Sequence, residues 1–334
     1  MGHITKKTGD RLCFYQKSVS GAVSVSGSAF CPFCFDPDPD SSRLLCAPQL
    51  MKEQSETFKN VVSLRFIVNN ENVMSIPVAL TIAGSDPSGG AGIQADLKTF
   101  HQRGVYGTSV ITLVTAQNTQ GVSAVEMLSA NIVAAQLEAV LEDIPPVAAK
   151  TGALGNYEIV RLIAEKVRNF GFPLVVDPVM ISKHGRRLMT DQARVALAEL
   201  LLPYAFLVTP NLHEAGELAD MMVCDPATMK DAAVKIASLG AQAVLVKGGH
   251  LEADSIDVLY WKNEFFEFRS PRIHTAHTHG TGCTFSACIT AELAKGHSLV
   301  DAVEIAKRYI TKAIETNPGL GKGSGPVNHH AQTP

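Results

Sequence analysis

Residues 277–287 read His-Thr-His-Gly-Thr-Gly-Cys-Thr-Phe-Ser-Ala. The run Gly280-Thr281-Gly282-Cys283 enters a small-residue helical pattern, TFSACITAELAKG, without a break. The first N–H groups of a helix have no partner inside it, and the helix dipole is positive at that end. Glycines there let an anion come close to the backbone, so the segment suits a phosphate or the charge of a phosphoryl group in transfer. Cys283 stands at the same helix start, where a thiol pKa is expected to fall. Its thiolate could then accept the proton of an attacking hydroxyl. The plainer reading is a small buried cysteine, and Cys288, one turn on, is read that way.

Other residues with chemistry follow apolar runs. After VALTIAG comes SDPSGGAGIQADLKTF, where Gly89, Gly90 and Gly92 permit a tight turn into a helix. This is not the G-x-G-x-x-G dinucleotide pattern. Asp96, one turn inside that helix, is either a solvated acid or a substrate ligand. Gln117 follows TSVITLVTA; its amide sets a donor beside an acceptor, as an aminopyrimidine edge requires, or it is simply a turn amide. Asn211 and Glu214 offer oxygens that suit Mg²⁺, and they equally match a reciprocal helix cap. Asp177 in VVDPVM is a base, metal-shell or turn carboxylate, and Lys247 before Gly248 and Gly249 could reach a phosphate. His277 and His279 are read as loop polarity, and His329 and His330 as terminal surface residues. GLGKGSG is not a Walker loop, since Gly323 follows Lys322.

These residues need a scaffold that gathers them. From Met74 onward, short β-rich runs at 78–84, 108–116, 173–180, 205–211 and 243–249 alternate with amphipathic helical stretches. That predicts an α/β fold, a mostly parallel central sheet with helices on both faces. DVLYW and FFEFRS predict two antiparallel strands after it. Ligands of such sheets sit beyond the carboxyl ends of the strands, where the residues above fall. The expected organisation is a low-order extension over 1–73, a targeting segment or the product of a misplaced start, then one α/β domain over 74–330. Cys13, Cys31, Cys34 and Cys46 lie in the extension. Cys31 and Cys34 form a CxxC without a second close pair, so no zinc site is expected. With 46% apolar residues and a net charge of -3, the 334-residue chain can bury a large core and offers no polyanion-binding balance. No apolar run reaches spanning length. The expectation is a cytoplasmic enzyme with small-molecule partners, no nucleic acid and no membrane; a homo-oligomer is left open.

AGSDPSGGAGIQADLKTF, TAQNTQGV, DPVM, TPNLHEA, VKGGH and HGTGCTFSA occur in this order. Over about 76–330 the chain closely resembles the hydroxymethylpyrimidine/phosphomethylpyrimidine kinases of thiamine biosynthesis, in the ribokinase-like fold. The resemblance implies ATP and Mg²⁺ as cofactors and two phosphorylations. The first is of 4-amino-5-hydroxymethyl-2-methylpyrimidine, the second of its monophosphate. By motif position it implies that Cys283 stands where related kinases carry an Asp base. Gly280, Thr281 and Gly282 become the anion hole, and Gln117 the pyrimidine reader. Asp96 and the Gly84 backbone fall near the hydroxymethyl group, Asn211 and Glu214 at Mg²⁺, Lys247 at a phosphate and Asp177 at the ATP and metal. Many relatives carry Met where this chain has Ala153, which opens room beside the ring. Two alternatives follow: a pyridoxal or pyridoxine kinase of the same fold, and a non-catalytic pyrimidine-sensing domain.

Overall fold

The computed structural model describes residues 76–249 and 254–333, together with the backbone of three strands near the N-terminus. The chain divides into two units, Met1–Asn72 and Val73–Pro334. In the first, β1 (Ile4–Thr8), β2 (Arg11–Lys17) and β3 (Val23–Ser24) pair antiparallel in sequence order. Regular pairing in this stretch was not expected from its pattern. The Cys31–Cys34 pair and Cys46 lie outside the described residues.

The second unit is built on a nine-stranded sheet. Its strands are β4 (Val78–Ser85), β5 (Tyr106–Asn118), β6 (Gly121–Met127), β7 (Ala148–Thr151), β8 (Leu174–Val176), β9 (Leu207–Val208), β10 (Ala243–Val246), β11 (Ser255–Trp261) and β12 (Glu264–Ser270). The spatial order is β12-β11-β10-β9-β8-β7-β4-β5-β6. From β10 to β5 all neighbours run parallel, and the sheet is closed at each edge by antiparallel pairs. The expected parallel core and the antiparallel pair at 255–270 are both present.

The helices are α1 (Gly92–Gln102), α2 (Ala130–Asp143), α3 (Tyr157–Val167), α4 (Asp191–Ala196), α5 (Leu212–Ala219), α6 (Pro226–Ala237), α7 (Thr281–Ala294) and α8 (Leu299–Glu315). They cover both faces, and the strand residues alternate between the two cores. Leu80, Ile82, Leu174, Val176, Val208, Val244 and Val246 join one apolar core with residues of α2 to α6. Val175, Leu207, Ala243 and Leu245 turn the other way, onto α7 and α8. Ala79 packs with Phe100 of α1 and with Ala287 and Ala291 of α7. A strand buried on both faces has no polar side, which is why these runs read as continuous apolar stretches.

Two strands escape a periodicity reading. β7 is four residues long and contains Lys150, fully buried. β6 (GVSAVEM) has no fully buried residue and no continuous apolar run. β5 is longer than expected and carries Gln117 within a hairpin with β6, opposite Val122. Gln117 is therefore a strand residue and not a turn amide. The sheet changes direction at β4 and β7: β4 leads outward through α1 to β5, and β7 leads through α3 to β8 on the other side. Their carboxyl ends diverge into a crevice, the usual place for a ligand in an open parallel sheet.

Candidate active site

That crevice opens into a cleft of ≈ 820 Å³ along the carboxyl ends of the parallel strands. Gly84 enters it at the end of β4, Gly152 and Ala153 after β7, Asp177 after β8, Asn211 and Glu214 after β9, and Lys247 after β10. Gln117 comes in from the β5–β6 hairpin, and Gly280 through Cys283 from the start of α7. All the residues expected at a site reach this one cleft, with the exception of Asp96.

Two helix starts meet at its floor. Gly280 caps α7 with a left-handed φ of 78°, and a side chain there would run into the Gly90 carbonyl of the turn before α1. Gly92, with φ 57°, opens α1, and its backbone favours the charged form of the Cys283 thiol. The Thr278 carbonyl accepts from Thr281 N–H at 3.3 Å and Thr281 Oγ1 at 2.8 Å. No carbonyl among the described residues takes the N–H of Gly282 or Cys283. These donors stand free at the positive helix end, where the motif was expected to place an anion hole. A Cβ on Gly282 would stand 3.3 Å from Lys247 Nζ and 3.8 Å from Asp177 Oδ2. The bare glycine thus brings the helix start beside a cation and a carboxylate.

Lys247 Nζ donates to Asp177 Oδ1 at 2.8 Å, and Thr209 and Ser286 also donate to that carboxylate. Burial pushes the Asp177 carboxyl up, but the ammonium groups of Lys247 and Lys150 outweigh it and hold it below its usual range. Burial likewise disfavours charge on Lys247; Asp177 and Glu214 more than restore it. The pair is therefore charged. Asn211 and Glu214 form a complete capping box at the start of α5. Asn211 Oδ1 accepts from Glu214 N–H at 2.9 Å, and Glu214 Oε2 accepts from Asn211 N–H at 2.8 Å. Burial, reinforced by the Asp177 charge and opposed by Lys247, pushes the Glu214 carboxyl up to about 7.

Two expectations change. Asp96 is fully buried beneath the cleft and does not line it. Its Oδ1 accepts from Lys150 Nζ at 2.8 Å and its Oδ2 from Thr81 Oγ1 at 2.6 Å. One helical turn into α1 faces the sheet, so the carboxylate meets the buried Lys150 of β7 and not solvent. The Cys283 thiol is not acidified by the helix start. Burial drives it up to about 12, and Lys150 opposes this only in part. Cys288 is buried, as read.

Some site residues escape the sequence reading. His279, taken for loop polarity, is 2% exposed and lines the cleft. Its Nε2 lies 2.7 Å from Asp86 Oδ2 and 3.1 Å from Gln117 Nε2. Asp86 also accepts from Ser88 N–H and Ala91 N–H, tying the glycine turn together. The far end of the cleft is lined by Ile310, Thr311 and Ile314 of α8. There Lys307 Nζ donates to Asp257 Oδ2 at 2.8 Å, and Asp257 Oδ1 accepts from Gly248 N–H at 2.8 Å, next to Lys247. His279 stands inside the glycine motif, so its neighbours were a usable signal. Lys307 had none, being one more polar residue of an amphipathic helix.

A chain with this cleft has well-defined relatives. The family model for phosphomethylpyrimidine kinase matches residues 86–328. A hydroxymethylpyrimidine/phosphomethylpyrimidine kinase of Bacillus subtilis is 47% identical over 261 residues, which are 77% of this chain and 96% of the relative. One from Haemophilus influenzae is 48% identical over 263 residues, covering 77% and 98%. Among solved structures, the ADP complex of Bacillus subtilis pyridoxal kinase matches with a TM-score of 0.72 and 41% identity, over 77% of this chain and 98% of that one. A phosphomethylpyrimidine kinase from Clostridium difficile matches with a TM-score of 0.64 and 47% identity, over 71% and 99%.

Proposed function

The chain belongs to the phosphomethylpyrimidine kinase family, and from that premise we infer how its cleft phosphorylates 4-amino-5-hydroxymethyl-2-methylpyrimidine and then the monophosphate. It is a kinase of thiamine biosynthesis with a ribokinase-like fold, and it uses ATP. The observation that carries the mechanism is the convergence of Gly282, Lys247 and Asp177 at the free N–H groups of α7. Phosphoryl transfer asks a protein mainly to position reactants and neutralise moving charge. Here the α7 N–H groups would receive the transferring phosphoryl and Lys247 would balance its charge.

The acceptor ring fits between Gly84, Leu113, Ala153 and Gln117, with Cys283 at the junction of ring pocket and anion hole. The neutral thiol lies beside the start of α1 and stands where the acceptor hydroxyl is aligned. It takes up the hydroxyl proton only once its own has gone. The nucleotide would lie toward Lys307 and the apolar face of α8. Hard oxygen donors suit Mg²⁺. Asp177 and Glu214 are carboxylates beside the phosphate position, whereas the Asn211 oxygen is committed to its cap. Among the described residues no cluster of three ligands exists. That fits an ion held mostly by nucleotide phosphates and water, with one or two carboxylates from the protein. Such an ion would screen the phosphate charge. The reading includes a cytoplasmic place of action and small-molecule partners only; no described helix is long and apolar enough to cross a membrane.

Pyridoxal kinase activity is the second reading, favoured by the likeness to solved pyridoxal kinases and by the room left at Ala153. An ADP-release assay decides, run on the pyrimidine, its monophosphate and pyridoxal side by side. Turnover of both pyrimidines supports the assignment. Turnover of pyridoxal alone overturns it, and ligand binding without ADP release points to a non-catalytic sensor.

A further inference from the structure

We propose that His279 is a positioning residue that decides which way the Gln117 amide points, and so sets the order of donor and acceptor offered to the substrate ring. The proposal rests on Gln117 reading that ring. His279 Nε2 lies 2.7 Å from Asp86 Oδ2, and both side chains are almost fully buried. A ring nitrogen at that distance from a carboxylate must carry the hydrogen, because a lone pair there would face a negative oxygen. His279 is thus protonated on Nε2. Its Nδ1 is buried and takes no hydrogen bond. A bare lone pair left unpaired there is less costly than a second buried N–H would be.

The consequence falls on Gln117. Its Nε2 stands 3.1 Å from His279 Nε2, which sets two N–H donors against each other. The two ends of a side-chain amide have the same shape, and only hydrogen bonding distinguishes them. Turning the amide over sets its carbonyl 3.1 Å from His279 Nε2, where it shares the one N–H with the nearer Asp86 carboxylate and removes the conflict. The NH₂ then faces the cleft beside Thr115, whose Oγ1 is 3.5 Å from that end of the amide. The chain of command runs from Asp86 to His279 to Gln117. Its outcome is an N–H directed at the ring, with the carbonyl's second lone pair on the His279 side. A ring nitrogen therefore belongs opposite Thr115, and an exocyclic amine belongs nearer His279. A pyridine carrying a phenolic oxygen presents no such matched pair.

The test has two arms. Long-range ¹H–¹⁵N spectra of the full chain report the His279 tautomer without any substrate, with the resonances assigned by their loss in His279→Gln. Protonation on Nε2 is expected; protonation on Nδ1 alone overturns the proposal whatever the substrate proves to be. In the second arm, His279→Phe keeps a ring but no donor, and His279→Gln restores an N–H toward Asp86 and Gln117. For the aminopyrimidine, KM should rise roughly tenfold in His279→Phe, the cost of one misdirected hydrogen bond. Most of that rise should be recovered in His279→Gln, with kcat within about threefold in both. KM for pyridoxal, where it is turned over, should move much less. Unchanged KM in His279→Phe, or equal losses in both variants on both substrates, would refute the positioning role. If His279→Phe does not fold, the tautomer measurement decides alone. A wild-type enzyme that ignores the aminopyrimidine refutes the substrate reading and leaves the tautomer result standing.

Discussion

At Cys283 two influences on one thiol pull in opposite directions. The helix start and Lys150 favour the thiolate; burial disfavours it and wins, leaving the thiol near 12. The neutral thiol aligns the acceptor hydroxyl, and only its thiolate, formed when the thiol proton has left, can act as the base. Cys283→Ala should lower kcat by ~10²–10⁴ while leaving substrate KM nearly unchanged, the range of general-base removal. Near-normal kcat would assign the work to the anion hole alone. Gln117→Leu should cost the pyrimidine about 1–3 kcal/mol of transition-state binding and pyridoxal less, as read from kcat/KM. Equal losses would mean that Gln117 only holds its hairpin. Glu214 is raised from its usual 4.5 to about 7. Its neutral form is favoured by folding, so this contribution is complete below about 4.5 and is lost as pH rises through 7. Glu214→Gln should flatten that part of the stability profile. If Glu214 serves the Mg²⁺, binding of MgATP near pH 7 should release a proton in the wild type and none in Glu214→Gln. Calorimetry in buffers of different ionisation enthalpy measures this.

Between elements, the decisive contact is the one between α1 and the sheet below the cleft. Asp96 of α1 and Lys150 of β7 are both fully buried and joined at 2.8 Å. Burial raises the Asp96 pKa against the pull of Lys150, while Lys150 is held charged by Asp96 against its own burial. Removing one partner strands the other charge, at a cost of about 3–5 kcal/mol. Asp96→Ala should lose that much in denaturant unfolding. The double variant Asp96→Leu/Lys150→Met, which strands nothing, should recover most of it. An Asp96→Ala protein as stable as the wild type would show that the pair is not charged. The same pair supports the floor on which the starts of α1 and α7 meet, where Gly280 lies against the Gly90 carbonyl. That contact forbids a side chain at 280, a constraint from packing rather than from catalysis.

For the whole molecule, every residue given a role lies in the second unit, Val73–Pro334. The strands of its sheet and the described residues lining its cleft all belong to this unit. A chain beginning at Met74 is expected to fold and to keep the kcat/KM and melting temperature of the full-length protein. Removing Cys13, Cys31, Cys34 and Cys46 with it should be without effect. An insoluble truncation, or one several-fold less active, would make the extension a working part of the enzyme. Stoichiometric zinc found only in the full-length protein would return the Cys31–Cys34 pair to consideration.

The sequence by itself determined the layered α/β fold, because strands covered on both faces carry unbroken apolar runs that alternate with amphipathic helices. It also determined the glycine-capped helix start and the capping box, since each is local: Gly280 to Cys283 and Asn211 to Glu214 are set by spacing along one helix start. The tertiary structure alone decided what distance in sequence concealed. Lys150 and Asp96 are 54 residues apart, so their union, and the removal of Asp96 from the cleft, could not be read from either segment. His279 became a site residue only when Asp86, 193 residues earlier, was folded against it. The thiol of Cys283 was misjudged for the same reason. A helix start is visible in sequence, but the desolvation that opposes it comes from α1 and β7, and burial by remote elements leaves no local pattern.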